Sequence, residues 1–91
     1  MDKLIEEARE LRRDIDSLPE VQEYYRLKKL YEEDEQLKQM RLEIARLKKD
    51  DKEEERSNLL EIYNSHPLVN NFEIAKREVE SILLTIRNII N

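Results

Sequence analysis

Cysteine and glycine are absent from these 91 residues, tryptophan is missing too, and histidine and phenylalanine occur once each. Without cysteine there are no disulfides, thiolate metal sites or thiol nucleophiles, and a reducing compartment is the natural setting. Without glycine, hairpin turns lose their usual source of positive φ, and no glycine-rich loop exists to cradle a phosphate. A single histidine, His66, has no second imidazole or thiolate with which to complete a zinc site or an activated nucleophile. No metal, nucleotide or iron–sulfur cofactor and no catalytic residue is therefore expected. The longest apolar run is three residues, Ile82-Leu83-Leu84, too short for a membrane span. The charged start MDKLIEEARE lacks the apolar core of a secretory signal, so a cytoplasmic location is the expectation.

What remains is a chain that is 43% charged with a net charge of −5, dominated by Glu, Lys, Leu, Ile and Arg. That mixture suits long amphipathic helices, so the fold class is all-α. The negative balance argues against a DNA-binding surface, which normally presents a clustered basic face. Arg9, Arg12, Arg13, Arg26, Lys28 and Lys29 offer a weak RNA-facing stripe, yet they alternate with glutamates and read first as surface ion pairs. The acidic run Glu32-Glu33-Asp34-Glu35 reads as a solvated helix junction, because successive helical residues point in different directions.

Both prolines fall in the same local phrase, Ser-x-Pro-x-Val-x-x-aromatic: SLPEVQEY at 17–24 and SHPLVNNF at 65–72. Each reads as a helix start, with Ser17 or Ser65 as N-cap and proline in the first turn; Glu20 would complete a capping box in the first copy. Whether the repetition is an internal duplication or the reuse of a common start signal stays open.

Apolar spacing supplies the other elements. Leu4, Ala8, Leu11, Ile15 and Leu18 form one helical stripe, continued from Val21 through Tyr24, Tyr25, Leu27, Leu30 and Tyr31. Asp34 is a plausible cap for a helix carrying Leu37, Met40, Ile44 and Leu47. The run KKDDKEEERSN then contains no apolar residue, which fits a turn or exposed tip near Asp50-Asp51 or one long helix continuing through it. Asp51 with Glu54 resembles a capping-box restart. Finally, Leu68, Phe72, Ala75, Val79, Ile82, Ile86 and Ile89 alternate steps of four and three, a seam sustained for about three heptads. Leu83 and Ile90 widen it beyond a two-stranded seam.

The spacing predicts helices over 2–16, 18–31, 35–49, 52–64 and 66–90 of a single domain. Short N-terminal helices precede a long antiparallel helical hairpin, and self-association completes a bundle. Phe72, Val79, Ile82, Leu83, Ile86, Ile89 and Ile90 are the candidate self-association residues. Tyr24, Tyr25, Arg26, Lys28 and Tyr31 are the candidate partner-binding residues, since tyrosine and arginine tend to dominate interfaces, although tyrosines at helical spacing also pack cores.

Two stretches carry a family resemblance: Tyr-x-x-Leu-x-x-Leu followed by Glu-Asp-Glu-x-x-x-x-Met, and Pro67, Val69, Phe72, Ala75, Glu78 and Val79 in the closing segment. With the helix order they resemble the YlbF/YmcA family of bacterial regulatory proteins across nearly the whole chain. The resemblance implies a small helical protein that self-associates and joins related family members in a complex. That complex influences competence, sporulation and biofilm development, and acts with RNase Y in mRNA processing. Two members of it use C-terminal cysteines to hold iron–sulfur clusters; this chain has no cysteine, which speaks against a cluster here. The competing expectation is a purely structural coiled-coil module.

Overall fold

Asp34 divides the first half of the molecule. In the computed structural model, which describes residues 2–90 (the Ile90 side chain excepted), α2 (Pro19–Glu33) ends and α3 (Glu35–Lys49) begins on this one residue. Its backbone N–H closes α2 on the Leu30 carbonyl, while its carboxylate Oδ1 accepts from the Leu37 N–H at 2.9 Å. One side chain thus satisfies a donor that the start of α3 would otherwise leave open.

The remaining elements are α1 (Asp2–Asp16), α4 (Glu53–Asn64) and α5 (Pro67–Ile90), so the described residues are helical with short connections and the fold is all-α. The charged run after Leu47 breaks into a turn. Asp51 takes the left-handed conformation, φ 58°, and the Lys52 N–H reaches back to the Leu47 carbonyl at 2.9 Å while that of Asp51 reaches Lys48 at 3.3 Å. These are the paired bonds of a Schellman ending, here built on aspartate because short polar side chains tolerate this region better than most. The turn therefore forms without glycine. Asp51 does not cap α4, however: the residue before that helix is Lys52, with no side-chain cap bond.

The serines of the repeated phrase correct a second expectation. Neither caps the helix that follows. Ser17 Oγ donates to the Asp14 carbonyl at 2.8 Å and Ser65 Oγ to the Glu61 carbonyl at 2.7 Å, so both finish the preceding helix. The residues between Ser and Pro stand at the N-cap. Leu18 offers no side-chain bond, which also removes the box with Glu20, whereas the His66 Nδ1 accepts from the Leu68 N–H at 3.1 Å. Proline supplies the start in both copies, since its missing N–H is one the first turn would not have used.

Packing is organised in two clusters. In the first, Leu27 of α2 is buried with Phe72 and Ala75 of α5. In the second, Leu37 of α3, Tyr63 of α4 and Val69 of α5 come together, with Met40, Ile44 and Leu60 against them. Tyr31 and Leu68 touch both and join them. Rising positions on α2 meet falling positions on α5, so this central pair is antiparallel, and α3 and α4 form the hairpin. The molecule is long, 55 × 23 × 21 Å, with a radius of gyration of 18.1 Å. A compact chain of this length would have about 12 Å. Much apolar surface is consequently left outside the two clusters.

Candidate functional site

Past Ala75, α5 contributes nothing to either cluster. Val79, Ile82 and Ile86 are only half-buried, Leu83 and Leu84 are exposed, and Ile89 is 78% exposed. The seam read from the sequence therefore divides in two. Its first half, including Phe72, is consumed by the chain's own core; Phe72 lies against Tyr24, with ring centroids 5.7 Å apart, and against Tyr31 at 4.5 Å. As a self-association residue Phe72 is thus corrected to a core residue. Its second half is, among the described residues, an apolar face that the rest of the chain covers only in part. The side chain of Ile90, also expected on this face, lies outside the described residues.

Beside that face runs a groove of about 310 Å³ between α1, α2 and α5. Leu11 and Ile15 of α1, Val21 and Tyr25 of α2, and Val79 and Leu83 of α5 line it, with Arg12 and Asp16 at the rim. The α1 stripe expected to be buried is only partly so: Leu4 is 68% exposed, and Ala8 and Leu11 are exposed as well. The reason is that α1 packs on α2 next to the Ser17–Leu18 turn and does not close against α5. Exposed apolar area of this extent on two adjoining elements is the usual mark of an interaction surface.

The candidate partner-binding residues separate into two environments. Tyr24 and Tyr31 are half-buried against the core, Lys28 is half-buried, and only Tyr25 and Arg26 are open to solvent. Arg26 is held by Glu23, its Nε donating to Oε2 at 2.9 Å, and this hydrogen bond lowers the Glu23 pKa and raises that of Arg26. Being fully exposed, the pair orients the guanidinium more than it stabilises the fold.

Tyr31 instead belongs to a polar node at the joint of α2, α3 and α4. Its hydroxyl hydrogen-bonds that of Tyr63, and the Arg41 guanidinium lies 4.7 Å from the centre of the Tyr31 ring. Arg41 also donates to the Tyr63 hydroxyl at 3.5 Å, a long bond. Burial, followed by the bond to Tyr31, pushes the Tyr63 phenol above its ordinary pKa, with Arg41 opposing. The node satisfies hydroxyls that would be costly to bury alone. Sequence reading missed it because Arg41 and Tyr63 share no pattern with Tyr31. Among the described residues no group of His, Asp and Glu stands together as a metal site, and no helix is long and apolar enough to cross a membrane.

The family described as control of competence regulator ComK, YlbF/YmcA, matches residues 4–91. The chain belongs to the YlbF/YmcA family. No curated protein and no solved structure matches it. Membership gives this YlbF/YmcA protein a regulatory role.

Proposed function

We propose that this YlbF/YmcA protein is a non-enzymatic regulatory adaptor of the bacterial cytoplasm, working through two helical surfaces. One is the distal half of α5, with Val79, Ile82, Leu83, Ile86, Ile89 and Ile90, through which it self-associates. The other centres on Tyr25 and Arg26, flanked by Lys28, with Tyr24 and Tyr31 supporting them from the core side. Through this second surface it docks on family members and on an RNase Y-dependent mRNA-processing complex, and so influences competence, sporulation and biofilm development.

The observation that carries the reading is the apolar second half of α5, where among the described residues Leu83, Leu84 and Ile89 are exposed and Val79, Ile82 and Ile86 only half-buried. Burying a large aliphatic side chain is worth about 1.5–3 kcal/mol, so several exposed together strongly favour association. The test captures partners from the native bacterium on the tagged chain and on a Tyr25→Ala, Arg26→Ala variant of equal helicity. RNase Y retained by the first and lost by the second supports the proposal. If neither chain retains it, the purely structural coiled-coil reading replaces the adaptor.

A further inference from the structure

Neither surface proposed above includes α3, yet α3 is sorted by charge. At about 100° per residue, Lys38, Arg41, Leu42, Ala45, Lys48 and Lys49 fall within one arc of about 120°, and no acidic residue of the helix shares it. The core side chains Leu37, Met40, Ile44 and Leu47 occupy the adjoining arc. Glu43 and Asp50 lie outside the basic arc, around Arg46, whose Nε donates to Glu43 at 3.0 Å and whose Nη1 donates to Asp50 at 3.2 Å. We infer that this basic flank docks an acidic amphipathic helix of a partner protein, its carboxylates on Lys38 and Arg41 and an apolar side chain against Leu42.

Arg41 anchors the flank. It is half-buried, and its guanidinium is held by the Tyr31 ring at 4.7 Å and the Tyr63 hydroxyl at 3.5 Å. Both of these partners are neutral. Among the described residues the ion pairs belong to Arg12, Arg26, Arg46 and Arg56, and none involves Lys38, Arg41, Lys48 or Lys49. A cation already fixed in place gains a charge-assisted hydrogen bond when a carboxylate arrives, with little further ordering to offset it. Arg41 also lines a recess of about 350 Å³ with Lys38 and Leu42, and Leu42 is 66% exposed. Two cations beside an exposed leucine match a carboxylate beside an apolar group.

The row's geometry suits a helix. Lys38, Arg41, Ala45 and Lys48 advance by steps of three, four and three, a straight row about 15 Å long. The small side chain of Ala45 lowers the row in its middle, where a second helix can approach. Because the steps read the same in reverse, a partner with acidic residues at this spacing fits in either direction. A nucleic acid fits less well. The net charge of −5 repels a polyanion, Leu42 gains nothing from a phosphate backbone, and the Tyr31 ring is covered by Arg41 instead of being offered to a base.

The probe is a labelled helical peptide with glutamates at i, i+3, i+7 and i+10 flanked by leucines, titrated by fluorescence anisotropy. It is added to the natural chain, to Lys38→Glu with Lys48→Glu, and to Lys29→Glu with Lys76→Glu as a control of identical net charge. All four lysines are exposed, so folding is preserved, and circular dichroism checks it. The α3 reversal should weaken binding at least about tenfold, and the control should stay within about twofold. Leu42→Ala should weaken binding as well. A second peptide with lysines in place of the glutamates should bind the α3 reversal better than it binds the natural chain, a rescue that a purely structural effect would not give. Equal losses in both charge reversals, or no binding of the first peptide to the natural chain, overturn the inference. Tighter binding of a single-stranded oligouridine probe than of the peptide, lost in the α3 reversal, overturns it in favour of a nucleic-acid surface.

Discussion

Ile89→Gln isolates self-association from folding. Ile89 belongs to neither core cluster and is 78% exposed, so its replacement removes nothing that holds the single chain together. Glutamine is a good helix former, which leaves the last turn of α5 intact. Full burial of a large aliphatic side chain is worth about 1.5–3 kcal/mol. With 78% of Ile89 still available, burial against a second copy contributes about 1.2–2.3 kcal/mol per site. A two-fold dimer contains the site twice, which makes roughly 2.3–4.7 kcal/mol in all. At about 1.4 kcal/mol per tenfold, the dissociation constant should rise by roughly two to three orders of magnitude. Sedimentation equilibrium over a dilution series gives that constant for both chains, with circular dichroism recorded alongside. A change below about threefold, at equal helicity, would mean that the distal turns of α5 are not in the interface, and the reasoning would fail.

Three further outcomes follow from the fold of the single chain. Leu37, with 0% exposure, is the one fully buried side chain among the described residues, so Leu37→Ala should cost about 2–5 kcal/mol in urea unfolding. The exposed Leu42→Ala, as control at the same protein concentration, should stay within about 0.5 kcal/mol. Asp51→Gly should raise stability by about 0.5–1 kcal/mol by relieving the left-handed conformation, and Asp51→Val should lower it, both read from the thermal midpoint. The Tyr63 phenol has its pKa raised by burial, so its contribution is complete below the ordinary tyrosine value and is lost as pH climbs through the folded one. Urea midpoints between about pH 9 and 11.5 should therefore fall more steeply for the natural chain than for Tyr63→Phe.

Sequence alone determined the class and order of the elements, because their causes are local. Missing glycine, the 3.6-residue stripes, proline in a first turn and the carboxylate of Asp34 all act within a few residues of themselves. The break after Leu47 was also visible as eleven residues without an apolar side chain, but whether the chain turned there was not. That depended on Asp51 accepting a positive φ so that α4 could return to α3. Likewise the serines of the repeated phrase have two carbonyls or amides within reach, and only the final path of the chain decided that they close the helix behind them. The same holds for the long apolar seam. Its periodicity is continuous from Leu68 to Ile89, and nothing in the pattern says that Phe72 faces Tyr24 and Tyr31 while Ile89 faces solvent. The decision lies in lengths: α5 has 24 residues and α2 only 15, so the antiparallel partner runs out near Val79 and the turns beyond it are covered only in part, least of all at Ile89. The surface offered to other molecules is thus set by where the tertiary contacts end.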